Sequence, residues 1–234
     1  MKKLVALLSF LFPMFKMVGQ VQTIDTYSLS AYGLNYSISA NIDVDEALYS
    51  DLLYVFAETG SDDFAVLRMG PDHIKHMVDK LTKAKDIYLA WSSIAREKNM
   101  KQLSKKIMNL RGTCFEIDFT NEGKWYRDDD NKLFATFYVD KDGLCYLKVE
   151  SYILYGENTA YRENSSLLSF AYSRNILTMG TAFSNRTVRV GKTANGVQMT
   201  FSNAREIDDF LKKLENAVAW KEQNMEFGKL LKKR

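Results

Sequence analysis

Residues 133–155 read LFATFYVDKDGLCYLKVESYILY. Two apolar runs flank Asp140-Lys141-Asp142-Gly143, a sequence rich in the residues that close tight turns. Leu133 to Val139 reads as one strand and Leu144 to Tyr155 as its antiparallel return. Cys145, Leu147, Val149 and Ile153 share one phase of a two-residue period, so they point to one face of the sheet. This hairpin makes the body of the chain an antiparallel meander.

The same period extends towards the N-terminus. Phe115, Ile117 and Phe119 alternate with Glu116 and Asp118, Asn121-Glu122-Gly123 turns the chain, and Lys124 to Arg127 is a short strand. Asp128-Asp129-Asp130-Asn131 then leads into Leu133. Earlier still, Tyr32, Leu34, Tyr36, Ile38, Ala40, Ile42 and Val44 alternate with small or polar residues from Ala31 to Asp43, which predicts a long strand bent near Gly33. A hairpin follows, Leu53 to Glu58 and Phe64 to Met69. On the C-terminal side, strands are expected near 167–173, 187–190 and 197–201.

Two segments carry a helical period instead. After Pro71, which suits a first helical position, Ile74, Met77, Val78, Leu81, Ala84, Tyr88 and Trp91 form one apolar stripe over 71–99, and the pattern allows an extension to Lys106. Ile207, Phe210, Leu211, Leu214, Ala217 and Val218 form another over 203–226. The expected fold class is α+β: an antiparallel sheet covered by two amphipathic helices.

A shift of 133 residues lays hairpin on hairpin and helix on helix. Val55 meets Val188, Ile74 meets Ile207, Leu81 meets Leu214 and Ala84 meets Ala217. Residues 20–110 and 111–234 can thus be read as two copies related by a pseudo-two-fold, against the alternative that a common hairpin–helix order coincides.

The N-terminus reads MKKLVALLSFLFPMFKMVGQ. Lys2 and Lys3 precede an apolar run from Leu4 to Phe15, too short for the roughly 20 residues that span a bilayer and suited to a signal peptide. Cleavage is expected after Gly19, giving a soluble periplasmic or secreted protein; an uncleaved anchor is the alternative. Neither Cys lies near the start, so a lipid-modified N-terminal Cys is not expected. Residues 20–234 are then expected to form a single globular domain. The composition, 46% hydrophobic and 13% aromatic, excludes disorder. Without Lys2, Lys3 and Lys16 the chain holds 29 basic and 29 acidic residues. A neutral chain gives no electrostatic reason to bind nucleic acid.

The chemistry-bearing residues are few. His73 and His76 are the only histidines; with Asp72 and Asp79 they offer a metal-ligand set at helical spacing. The competing reading is a solvated helix start. No G-x-S-x-G elbow occurs. Val190-Gly191-Lys192-Thr193 lacks the upstream Gly of a phosphate loop, Arg186 standing there, so no cofactor is expected. Cys114 is in phase with Glu116 and Asp118, whereas Cys145 is on the apolar side, which argues against a Cys114–Cys145 disulfide. Tyr155, Tyr161 and Arg162, around an irregular loop, and the small face at Asn35, Ser37 and Ser39 are the candidate ligand-binding residues.

The MKK start with Gln after the cut, the stretch Phe137 to Leu147 and the closing segment 199–214 resemble small exported proteins of Bacteroidetes-type bacteria. That resemblance implies export but no activity and no catalytic residues. The expected function is an exported, non-enzymatic binding or interaction module for a protein or glycan partner in the bacterial cell envelope. The alternative is a metal-dependent or other hydrolase using His73, His76 and nearby carboxylates.

Overall fold

A computed structural model describes residues 20–42, 52–59, 64–158 and 192–232. The chain is α+β. Its strands are β1 (Gln20–Leu29), β2 (Leu34–Ile42), β3 (Leu53–Thr59), β4 (Phe64–Met69), β5 (Leu103–Asn109), β6 (Glu116–Asn121), β7 (Lys124–Asp128), β8 (Leu133–Val139), β9 (Cys145–Ser151), β10 (Leu154–Asn158), β11 (Lys192–Ala194) and β12 (Val197–Phe201). Its helices are α1 (Pro71–Glu97) and α2 (Ala204–Lys232). The strands run β11-β10-β7-β6-β4-β3-β12-β9-β8-β5, with β2 joined to β3 and β1 to β2. All these pairings are antiparallel.

The sheet forks at β3. Leu53 to Val55 pair with Ile38 to Ala40 of β2, while Glu58 and Thr59 pair with Val197 and Gln198 of β12. The β1–β2 hairpin sits in the fork and is tied there by tyrosine hydroxyls. Tyr27 donates to the Phe56 carbonyl, Tyr36 donates to Glu58 Oε1 at 2.8 Å, and the hydroxyls of Tyr32 and Thr200 lie 2.8 Å apart. Burial pushes the Tyr27, Tyr32 and Tyr36 phenols above their ordinary pKa. A buried phenol needs such a partner, which is why Tyr serves here rather than Phe.

Several features differ from the sequence expectation, among them the end of α2, expected at 226 and found at Lys232. The bend at Gly33 is a hairpin turn, with Gly33 at φ 65°, and the preceding strand β1 is not visible as a period in the sequence. Helix α1 stops at Glu97 instead of running to Asn99 or Lys106. Asn99 and Gln102 adopt left-handed backbone (φ 49° and 52°), Met100 N–H donates to the Ala95 carbonyl at 2.8 Å, and the chain leaves as β5. The run 144–155 is two strands, β9 and β10, so Ile153 falls between them and is 69% exposed. Cys114 precedes β6 and packs against the core, out of the phase set by Glu116 and Asp118. Val188, 159–191 generally and the first 19 residues lie outside the described residues.

One core holds both helices and the odd-numbered side chains of β8 and β9. From α1 it takes Ile74, Met77, Leu81, Ala84 and Tyr88, and from α2 Ile207, Phe210, Leu211, Leu214 and Ala217. Tyr88 donates to the Cys145 carbonyl at 3.2 Å, and the Trp91 ring meets Phe137 edge-on at 5.7 Å. Phe210 lies 4.7 Å from the Tyr27 ring and 5.6 Å from Phe201. Lys85 pairs with Asp208 between the helices. Among the described residues no helix is long and apolar enough to cross a membrane.

Both cysteines are free. Cys114 lies just before β6 and Cys145 opens β9, four ladder steps away in the strand order. At about 4.8 Å per step that is on the order of 20 Å, well past the roughly 7 Å a disulfide tolerates. Burial, helped by the Asp128 charge, pushes the Cys114 thiol up to about 12. At neutral pH almost none is thiolate, the reactive form. Iodoacetamide at pH 7.5 is therefore expected to leave Cys114 unmodified in the folded chain and to alkylate it after unfolding. Peptide mass mapping reads this directly, and rapid labelling of the native protein would contradict it.

Candidate functional site: the aromatic and lysine-bearing face of the sheet

Along β8 and β9 the even-numbered side chains point away from the core. Register brings Ser104, Tyr138 and Tyr146 into one row across β5, β8 and β9, and Lys106, Thr136, Lys148 and Thr200 into the next, which continues to β12. Asn109, Phe134, Glu150 and Gln198 form a third. The Tyr138 and Tyr146 rings are 6.1 Å apart, and Phe134 and Tyr152 are 5.1 Å apart. The Lys148 ammonium sits 4.0 Å above the Tyr138 ring. The Lys106 ammonium lies 4.6 Å from the Phe134 ring and 5.8 Å from Tyr152. Thr136 is buried between the two lysines' strand positions, whereas Tyr152 is 59% exposed.

The arrangement is a flat lattice of rings with two ammonium groups held over them. Each cation–π contact at a partly exposed site is worth about 0.5–1 kcal/mol. Rings and lysine stems are thus prearranged, so a partner laid across them loses little side-chain entropy. β5 is also an edge strand, and its lysines at 105 and 106 guard it against unintended strand pairing. Lys105 turns to the other face and covers Trp91 at 4.6 Å.

Asp140 fixes one end of this face. Its carboxylate accepts the N–H groups of Asp142 (2.8 Å) and Leu144 (2.9 Å) and the Tyr146 hydroxyl (3.2 Å). Desolvation raises its pKa, but these donors outweigh it and hold the carboxyl below its usual 3.8. The folded value is the lower one. The turn's contribution is therefore complete above the unfolded value and is lost as pH falls through the folded value. Carbon-detected NMR titration is expected to give an Asp140 midpoint under 3.8, and Asp140→Asn should abolish the local pH response of Tyr146.

The residues proposed from the sequence fall in different places. Tyr155, on β10, is 61% exposed, and its N–H donates to Asp128 Oδ2 at 2.9 Å. Tyr161 and Arg162 lie outside the described residues. Asn35 is exposed and accepts from Ser28 at 2.5 Å, but Ser37 and Ser39 are buried, at 2% and 0% exposure. The small face of β2 is thus an inner surface, with Ser39 opposite Tyr54. β2 and β10 are five ladder steps apart, so these candidates do not converge. His73 caps α1, its Nδ1 accepting the Gly70 N–H at 3.3 Å, and its ring meets Phe115. Among the described residues no three His, Cys, Asp or Glu side chains, Asp72 and His76 included, gather to hold a metal ion. Asp128 closes its own turn through Asp130 N–H and Asn131 Nδ2.

The sequence reading did not single out the aromatic lattice, although the stretch 133–155 carries a signal for it. Its second phase, Phe134, Tyr138, Tyr146 and Lys148, is not the Ser, Asp and Asn expected of a plainly solvated face. Compared with known proteins, the chain matches no family model, no curated protein and no solved structure.

Proposed function

We propose that this chain is an exported, non-enzymatic binding module of the bacterial cell envelope that receives a protein or glycan partner across the face of β5, β8 and β9. The observation that carries this reading is the lattice of Phe134, Tyr138, Tyr146 and Tyr152 with Lys106 and Lys148 seated over the rings. Aromatic and cationic side chains concentrate binding energy at interfaces. The helices, in this reading, cover the opposite face; the contacts of Tyr88, Trp91 and Phe210 with inward-facing residues support it. β4 followed by α1 and β12 followed by α2 begin at the same 133-residue offset, which supports a duplication with a pseudo-two-fold. Export itself rests on the Lys2–Gly19 pattern, and mass spectrometry of the protein from its host should find a mature product starting at Gln20.

The test pairs a glycan array and an envelope-fraction pull-down with variants. Tyr138→Ser and Tyr152→Ser, each checked for unchanged thermal melting, are expected to weaken the partner found by about tenfold or more, the scale of an aromatic hot spot. Binding that both variants leave intact would refute this face as the site.

A further inference from the structure

Between the C-terminal half of α1 and the start of α2 lies a cavity of about 280 Å³, lined by Tyr88, Ser92, Arg96, Ser202, Asn203 and Ala204 among others. Its size is near the lower end of the roughly 300–1,000 Å³ of small-ligand pockets. Three kinds of donor meet there. The first is the N-terminus of α2, 29 residues long. Asn203 Oδ1 accepts the Glu206 N–H at 3.1 Å, which leaves the Ala204 and Arg205 N–H groups as the unclaimed donors of the first turn. The second is the exposed Arg96 guanidinium, which has no ion-pair partner among the described residues. The third is Ser92. It is 3% exposed, and its hydroxyl has no well-formed hydrogen bond, although it lies close enough to Tyr88 to bear on that phenol.

A buried unpaired hydroxyl costs free energy that a ligand acceptor would recover. Orphan helix N–H groups, the helix dipole and a free guanidinium all favour negative charge at the same spot. The Glu206 carboxylate also stands at this helix start, but its oxygens are taken up by Ser202 N–H, Asn203 Nδ2 and Ser30 Oγ and not by the Ala204 or Arg205 N–H groups. Tyr88 is likewise committed as a donor to the Cys145 and Ser202 carbonyls.

We propose that this cavity binds a small ligand through an oxyanion group, a carboxylate or a phosphate, held by Arg96, Ser92 and the first N–H groups of α2. The site is separate from the aromatic face and stands or falls independently of it.

The test titrates the ¹⁵N-labelled full chain with inorganic phosphate and, separately, with acetate, at fixed ionic strength. Saturable shifts of the Ala204 and Arg205 amides are expected with at least one anion. Phosphate alone would identify a phosphate-bearing ligand, and acetate alone a carboxylate. Arg96→Gln should raise the half-saturation concentration about tenfold or more, as loss of a charged hydrogen bond does. Ser92→Ala should raise it about threefold with the melting temperature unchanged, and Lys83→Gln, far along α1, should leave it alone. Absence of saturable shifts with both anions, or shifts that Arg96→Gln does not weaken, would overturn the proposal.

Discussion

Phe210→Ala is expected to lower the melting temperature by about 6–20 °C. The ring is 1% exposed and is wedged between Tyr27 of β1 and Phe201 of β12. It therefore joins the hairpin in the fork, the strand on the fork's other arm and helix α2. Removing a buried Phe side chain costs about 3–5 kcal/mol, from lost transfer energy and the cavity left behind. A chain of this size loses about 2–4 °C per kcal/mol, and total stability is only about 5–15 kcal/mol. Phe115→Ala supplies the contrast. That ring is 56% exposed, and its removal should stay within about 0.5 kcal/mol. Equal losses from the two variants in thermal and urea melts would show that α2 is not packed into the core through Phe210.

Phe115 also marks where the sequence stops being readable. The alternation of 115, 117 and 119 puts Phe115 inside with Ile117 and Phe119, yet the strand begins only at Glu116 and the residue before it follows no strand phase. Periodicity reports a face only where the backbone is already regular. Within β8 it succeeds, and the strand is Leu133 to Val139 as read. It fails at β5, whose Ser104-Lys105-Lys106 run looks like the polar end of a helix because an edge strand carries lysines for protection. It fails differently at β2. Ser37 and Ser39 look solvent-facing by composition, but the fork buries both sides of that strand. A sequence carries the period of a strand and not the layer stacked on its far side. The candidate ligand residues suffered from the same gap, since nothing local tells Asn35 from Tyr155 in distance across a sheet.

The second large effect concerns charges that the sequence spaced but did not pair. On the sheet face opposite Leu67, Ile117 and Phe119, Arg68 Nη1 meets Glu116 Oε2 at 2.7 Å, while Arg127 Nε reaches Glu116 at 3.2 Å and Asp118 Oδ1 at 2.8 Å. Register explains the cluster: Arg68 faces Glu116 across β4 and β6, and Asp118 faces Arg127 across β6 and β7. Asp118 is 1% exposed, and its Oδ2 has no hydrogen bond. Arg127→Ala should therefore be far more costly than a surface pair, at about 3–5 kcal/mol, because it strands a carboxylate away from water. Arg68 would still be answered by Glu116, so the damage is local to Asp118. The double variant Asp118→Leu/Arg127→Met removes both charges and leaves the Arg68–Glu116 pair neutral as before. It should recover most of the loss, since replacing a whole buried pair with apolar groups is often close to neutral. Urea melts of the wild type, Asp118→Leu, Arg127→Met and the double variant close the thermodynamic cycle, with Arg127→Ala as the full truncation. A double variant as unstable as Arg127→Ala would mean that the guanidinium acts through its packing, and that pairing with Asp118 contributes little.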